Sequence, residues 1–585
     1  MSDPVIEQTA TRHIPPVAVS QTSTLVTRTG SWKSIRPVYH DRVAPCNQAC
    51  PVGIDIEGYM NLLRESRVDD ARDLLLAENP MPAVTGRVCH HPCENACNRR
   101  FFDGAVSIHA VERMIGALPH DGVRHVPPVA RTERVAVVGS GPAGLACAYH
   151  LARFGYPVTV FEAAAQAGGM LRLGIPEYRL PRAILDRDIA RIEAQGVTIR
   201  CGTHVGIDPA WRALLAEFKA VCVATGAHTS RALGVKGENI AGVLPGLVFL
   251  RQINGGARPN LGRHVVVVGG GNTAMDCARS ALRLGASVTV AYRRTRDEMP
   301  AIHEEVEEAQ REGAQLTFLA NPVEIAETNG RVSGMVCERM ALGEPDASGR
   351  RRPMPTGEHF TIAADTVLTA IGELSYLEGF PEDVTREGSG LPVDALGQTS
   401  RASLFAGGDV TDLERTVADA LGAGKRAAIG IDRHLRTVAG DGHNDGDTDT
   451  LRFGGGNVSA LRWTQRDPVH RVAPLNSVVD FSDLNVNHFA RAARHDDAHV
   501  AAGTARRFDE VNSGLTSAQA IDEAHRCLNC GVCTQCDVCL IFCPDAAISH
   551  GADGSYDIAL DYCKGCGICV AECPRGAITM TRDRP

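Results

Sequence analysis

Two stretches near the end of the chain, CTQCDVCLIFCP from Cys533 and CKGCGICVAECP from Cys563, share one spacing, CxxCxxCxxxCP. That spacing is the ligand pattern of paired [4Fe–4S] clusters, in which the fourth cysteine of each run completes the cluster begun by the other. It therefore predicts one cluster on Cys533, Cys536, Cys539 and Cys573, a second on Cys563, Cys566, Cys569 and Cys543, and a small fold wrapped around them. Ten of the twenty cysteines fall between Cys527 and Cys573, and five more are Cys46, Cys50, Cys89, Cys93 and Cys97. Twenty cysteines in a small secreted chain would suggest disulfides, but two dense groups separated by a cysteine-poor middle suggest metal ligation. Cys147, Cys201, Cys222, Cys277 and Cys337 stand singly and are expected to be small buried hydrophobes.

At 585 residues the chain exceeds a single core and is expected to hold three to five domains. A net charge of -9 leaves no basic surplus for a phosphate backbone, so nucleic acid is not an expected partner. No apolar run reaches the ~18 residues needed to span a bilayer, and MSDPVIEQ lacks the features of a signal peptide. A cytoplasmic chain without a membrane partner is expected. The acid-poor stretch up to TRTGSWKSIRP reads as a docking arm, with a transit peptide as the alternative.

RVAVVGSGPAGLACAYHLARFGYPVTVFEAA reads as strand, glycine turn, helix and strand. Gly139 permits the turn, Gly141 lets backbone approach a pyrophosphate, Gly144 lets helix pack on strand, and Glu162, 23 residues after Gly139, can hold a ribose. HVVVVGGGNTAMDCARSALRLGASVTVAYRR repeats the pattern with Gly269, Gly271 and Ala274, and with Asn272 and Thr273 between the last two at the helix start. Here Tyr292 replaces the acid, and Arg293 and Arg294 follow it. A carboxylate would repel a 2′-phosphate that guanidinium groups can bind, so the second site is read as one for NADP(H).

With CVATGAH at Cys222–His228 and SLFAGGDV at Ser403–Val410, this arrangement resembles the flavoprotein disulfide-reductase-like fold, in which an NADP unit is inserted into an FAD unit. AGGMLRLGIPEYRLPR (167–182) and YRRTRDEMPA (292–301) resemble the flavin-side and NADPH loops of the glutamate synthase small-subunit family. The resemblance implies FAD contacts from Gly139, Gly141, Ala143, Gly144, Glu162, Gly169, Arg179, Leu180, Thr225, Gly226, Gly408, Asp409, Thr416 and Val417. Asp409 takes the position of the aspartate returned to the ribityl chain.

The same family, and the matching part of dihydropyrimidine dehydrogenase, carry an Fe–S domain before the FAD unit: a CxxC pair, further cysteines, then a GRxCPxPCExxC-like run and a Glu or Gln ligand. CNQACP and GRVCHHPCENAC match it, with Glu112 of VSIHAVE at the non-cysteine position. The leading CxxC pair is missing, because VYHDRVAP holds no cysteine, while EAHRCLNCG resembles the phrase that introduces that pair. The resemblance implies that Cys527 and Cys530 fold back to join Cys46 and Cys97, beside a neighbouring cluster on Cys50, Cys89, Cys93 and Glu112. Four [4Fe–4S] clusters then use fifteen cysteines and one glutamate. The alternatives are that Cys527 and Cys530 form a redox or structural pair or bind nothing, and that the N-terminal cysteines hold structural zinc, whose paired CxxC units are lacking.

The C-terminal run and TGSWKSIRPV resemble the ferredoxin-like (delta) subunit of 2-oxoacid:ferredoxin oxidoreductases. The expected architecture is multidomain α/β: an extended arm (1–40), a helical Fe–S domain (41–125), an FAD domain (126–230 and 360–438) holding a Rossmann-like NADP domain (231–359), an irregular linker (439–510), and an α+β bacterial-type ferredoxin domain (511–585). His470 and His488 in the linker lack ligand-like spacing and are expected at the surface. The implied function is an FAD- and Fe–S-dependent NAD(P)H:acceptor oxidoreductase, since flavin alone among these groups exchanges both hydride and single electrons. No acid, base or nucleophile is identifiable. The leading partner is a thiamine-dependent 2-oxoacid oxidoreductase, with the glutamate synthase large subunit or a soluble ferredoxin as alternatives; an electron-relay scaffold without NADP turnover is the non-enzyme reading.

Overall fold

The computed structural model describes residues 28–119, 130–346, 348–412, 414–440, 451–453, 455–464, 477–497, 508–552 and 554–582. The chain divides into two compact units. The smaller comprises Gly531–Pro585, Ser482–Phe489 and the stretch up to Asp41; the larger comprises Arg42–Phe481 and Ala490–Cys530.

In the larger unit the valine-rich runs form two five-stranded parallel sheets. The first has the order Leu404–Ala406, Ala220–Val223, Val135–Val138, Val158–Phe161, Thr198–Arg200, and the second Gln315–Phe318, Ser287–Tyr292, His264–Val268, Thr366–Thr369, Val243–Pro245. Strands that are apolar at every position are buried on both faces, as parallel sheets under helices require. The helix Pro142–Phe154 shows the signals that set its ends, proline in its first turn and Gly155 in the left-handed conformation at its close. A three-stranded antiparallel sheet, Ala320–Thr328, Arg331–Pro345 and Arg351–Ala363, follows the second parallel sheet in sequence.

Residue 360, where the chain was expected to return to the first domain, lies inside the last of these antiparallel strands. The next run, TVLT at Thr366–Thr369, still belongs to the second sheet, paired between His264–Val268 and Val243–Pro245. The chain passes between the two sheets at a short antiparallel pair, Thr229–Ser230 with Glu373–Leu374.

The N-terminal part of the larger unit is helical. The helix Ile56–Arg64 is capped by Asp55, whose Oδ1 accepts from Gly58 N at 3.0 Å. It packs on the helix Ser517–Arg526, which also meets Ile108–Ala117. Residues 511–530, expected within the ferredoxin domain, thus fold with the N-terminal cysteines. Part of the expected linker is ordered as well: Trp463 of the helix Ala460–Trp463 donates to Asp432 Oδ2 at 2.7 Å.

The smaller unit has two antiparallel pairs, Ile548–His550 with Tyr556–Ile558, and Ile35–Tyr39 with Ile578–Arg582 in the register Tyr39 opposite Ile578. The end of the expected arm is therefore a strand of this unit. His488 is exposed and lies 3.1 Å from Glu572 Oε2, whereas His470 lies outside the described residues. Cys147, Cys222, Cys277 and Cys337 are buried as expected; Cys201 is exposed, because it follows the edge strand Thr198–Arg200.

Candidate functional site

The first glycine turn has the shape that its sequence predicts. Gly139 has φ 104°, and a Cβ placed on Gly144 would stand 1.9 Å from the Gly139 carbonyl oxygen, so helix and turn meet only through glycine. Around Gly141, by contrast, a Cβ would meet nothing within 4 Å, which leaves the helix N-terminus open to a ligand. The Thr225 hydroxyl is buried without a hydrogen-bond partner among the described residues, a second feature that fits a bound dinucleotide. Glu162 Oε2 accepts from Ser140 N at 2.9 Å and Oε1 from Ala164 N at 2.7 Å. Gly169 backs onto Gly141, and Gly408 packs against Ala143. Burial pushes the Asp409 carboxyl up, opposed by Arg415. Thr416 caps the long helix Val417–Ala439, its Oγ1 accepting from Asp419 N at 3.1 Å.

Two expected side chains face elsewhere. Arg179 donates to both carboxylate oxygens of Asp276 at 2.9 Å and lies 2.7 Å from Glu305, so its guanidinium ties the loop 167–182 to the helix Asn272–Arg283 instead of facing the flavin turn. Arg294 is buried and donates to the Arg351 carbonyl at 2.7 Å and to Asp346 Oδ2 at 2.6 Å. Its neighbour Arg293 is exposed and remains available to a phosphate. At the second turn Gly269 has φ 144°, Ala274 is buried, and Asn272 Oδ1 accepts from Ile302 N at 2.9 Å, which fixes the loop behind Gly271 and Thr273.

The cysteines gather in fours. Cys46, Cys97, Cys527 and Cys530 line one small cavity together with Glu57, Met60 and Ile108. The Cys46 thiol is pushed up by burial and then by Cys97, Cys527 and Cys530. Asn98 Nδ2 donates to Cys530 Sγ at 3.6 Å. Beside this group, the Glu112 carboxylate lies within electrostatic reach of Cys50 and Cys89, and Cys93 within reach of those two thiols. Burial pushes Cys50 up to about 11 and the Glu112 carboxyl up to about 7, the latter opposed by hydrogen bonds from Thr85 and Asn79. Both of these bonds fall on Oε1, leaving Glu112 Oε2 without one among the described residues. Thiols crowded in this way favour a polycation that takes them as thiolates.

This second group adjoins the nucleotide fold. Asp419, in the first turn of Val417–Ala439, is among the charges that push Cys89 up, and a Cβ on Gly422 would stand 2.0 Å from the Pro51 carbonyl. Lys425 of the same helix is fully buried, donating to Glu78 Oε2 at 2.6 Å and to the Gly53 carbonyl at 3.2 Å.

In the smaller unit, Cys533, Cys536, Cys539 and Cys573 line one cavity and Cys543, Cys563, Cys566 and Cys569 another, which is the crossed grouping that the repeat predicts. The short helices Val538–Ile541 and Ile568–Glu572 carry the third cysteine of each run and begin at the left-handed residues Asp537 and Gly567. Sequence reading missed the hydrogen-bond donors to sulfur, Asn98 and Tyr39, which carry no spacing signal. It also missed His91, Glu94 and His109, whose ligand atoms lie within 4.8 Å of one another; the histidine rings are 3.9 Å apart, and Glu94 is held by His109 at 2.7 Å and by Arg494 at 2.8 Å.

Residues 133–427 match the family described as pyridine nucleotide-disulphide oxidoreductase. Residues 38–120 match domain II of dihydropyrimidine dehydrogenase with its 4Fe–4S cluster, and 556–579 match a 4Fe–4S binding domain. The chain is 43% identical over 426 residues to the beta subunit of NADP(+)-dependent formate dehydrogenase from Moorella thermoacetica, covering 67% of this chain and 60% of that protein. It is 38% identical over 524 residues to the NADPH-Fe(3+) oxidoreductase beta subunit of Geobacter sulfurreducens, covering 83% and 75%. It is 35% identical over 412 residues to the glutamate synthase [NADPH] small chain of Escherichia coli, covering 66% and 87%.

Proposed function

We propose a function on the premise that the chain belongs to the pyridine nucleotide-disulphide oxidoreductase family, in its glutamate synthase small-chain-like branch with iron–sulfur domains. It is an electron-transfer subunit that exchanges hydride with NADP(H) and single electrons with a separate cytoplasmic enzyme. Bound FAD would supply the conversion between the two kinds of electron unit, and four [4Fe–4S] clusters would carry single electrons.

The chain's own residues bind and orient. Gly139, Gly141 and Gly144 with the following helix N-terminus would hold the FAD pyrophosphate, Glu162 its ribose and Asp409 its ribityl chain. Gly269, Gly271 and Ala274 would hold NADP(H), with Arg293 on the 2′-phosphate and Arg294 fixing the loop beneath it. Cys50, Cys89, Cys93 and Glu112 would hold the cluster beside the nucleotide fold, Cys46, Cys97, Cys527 and Cys530 its neighbour in the larger unit, and the eight C-terminal cysteines two more in the smaller unit. The observation that supports this reading is the meeting of Cys527 and Cys530 with Cys46 and Cys97 around one cavity, a grouping that suits a fourth cluster.

The partner oxidises a substrate whose electrons are low enough in potential to reduce NADP. The resemblance of the C-terminal run to a 2-oxoacid oxidoreductase subunit supports a 2-oxoacid; the formate dehydrogenase relative supports formate as a second reading. The test is anaerobic co-purification of the tagged chain from its own host, with NADP reduction assayed with 2-oxoglutarate or pyruvate plus CoA, and with formate. A 2-oxoacid-driven rate is expected. A rate with formate alone assigns the second reading, and no rate with any donor, from a preparation whose flavin NADPH still bleaches, overturns both.

A further inference from the structure

One strand of the smaller unit touches both C-terminal cluster sites. Ile35–Tyr39 places Pro37 in the cavity of Cys543, Cys563, Cys566 and Cys569, and Tyr39, two residues on and so on the same face, in that of Cys533, Cys536, Cys539 and Cys573. Proline offers no donor. The Tyr39 hydroxyl donates to Cys539 Sγ at 3.1 Å.

The donor is fixed from two sides. The strand pairing sets Tyr39 opposite Ile578, and its ring stacks on Tyr556 with centroids 5.7 Å apart and planes at 21°. Tyr556 is itself anchored, donating to Asp537 Oδ1 at 2.7 Å while its oxygen accepts from Asp537 N at 2.9 Å. The repeat gives both sites matching backbone donors, Gln535 to Cys533 and Gly565 to Cys563. Cys543 receives Ala547 N at 3.3 Å, and among the described residues no side chain donates to Cys569, the counterpart of Cys539.

On the ligand reading above, we propose that Tyr39 is a positioning residue that stabilises the reduced form of the cluster on Cys533, Cys536, Cys539 and Cys573, raising its reduction potential. One electron enters, no bond forms or breaks, and the hydroxyl proton stays on oxygen. The added charge resides partly on the cysteine sulfurs, where a donated hydrogen bond is strengthened, and bonds to sulfur are an established lever on cluster potential.

The test compares the full-length holoprotein with Tyr39→Phe and Tyr556→Phe by anaerobic redox titration followed by electron paramagnetic resonance, with iron counted first. Y39F keeps the stacked ring and removes only the donor. Its reduction equilibrium at one cluster is expected to fall about tenfold, a shift of ~59 mV to lower potential, with the other clusters unmoved and the coupling of one exchangeable proton to the reduced cluster lost. Y556F is expected to leave the potential in place. An unshifted potential in Y39F at full iron content overturns the proposal, as does an equal shift in both variants, which would assign the effect to packing. Wild-type protein with iron for no cluster at these cysteines overturns instead the reading on which it rests.

Discussion

Replacing Lys425 by methionine tests how the long helix Val417–Ala439 is fastened to the cysteine-bearing loops. The pair it forms with Glu78 is closed to water, at 0% and 1% side-chain exposure, with Nζ and Oε2 2.6 Å apart. At an effective dielectric near 20 the gross attraction is about 6 kcal/mol, most of which offsets the desolvation of two ions. Deleting one partner is costlier than the pair's net value, because Glu78 stays buried and uncompensated, a change of about 3–5 kcal/mol. Glu78 keeps donors from Ser459 Oγ, from Ala460 N at 2.9 Å and from Leu461 N at 3.1 Å, which places K425M at the low end, about 3 kcal/mol. The assay is urea unfolding of the holoprotein, read from the midpoint of the transition that releases flavin. The double variant K425M/E78Q removes the stranded charge and is expected to recover at least half of the loss. A K425M cost below about 1 kcal/mol, or a double variant less stable than K425M, would refute the reasoning.

Two further substitutions separate roles within the proposed sites. Cys527→Ala with Cys530→Ala should lower iron from about sixteen to about twelve atoms per flavin while NADPH still bleaches the flavin; an unchanged iron count in folded protein would return this pair to a role outside metal binding. Arg293→Glu should weaken NADPH relative to NADH about 10- to 100-fold in kcat/KM, the loss of one charge-assisted phosphate contact. Arg294→Gln should act on thermal stability instead, and an R294Q effect on the cofactor ratio as large as that of R293E would contradict the assignment.

What was legible in the sequence follows from how locally each signal is encoded. The crossed C-terminal grouping lies in a spacing of two and three residues, and both glycine turns lie within seven, so each could be read directly. The joining of Cys527 and Cys530 to Cys46 and Cys97 spans more than 400 residues and became readable only because one ligand pair was missing and another was spare. Arg179 and Arg294 were misdirected because their partners, Asp276 and Asp346, lie 97 and 52 residues away. Thr366–Thr369 carries the same β-branched signature in either sheet; register alone assigns it to the second. Tyr39 is one aromatic in a short strand, and nothing in IRPVY marks it as a donor to sulfur.

The pairing of Ile35–Tyr39 with Ile578–Arg582 also sets a timetable for biosynthesis. The early strand must wait for a partner made 543 residues later, about 30–110 s at ordinary elongation rates. During that interval the nucleotide-binding sheets can close on the nascent chain, while the cysteines at both extremes stay open to oxygen and to the machinery that delivers iron and sulfide. Cluster loading of the smaller unit thereby waits on the second cysteine run, because each of its sites takes ligands from both runs. A ribosome stalled short of residue 578 would hold a chain with finished nucleotide sites and an unfinished electron outlet.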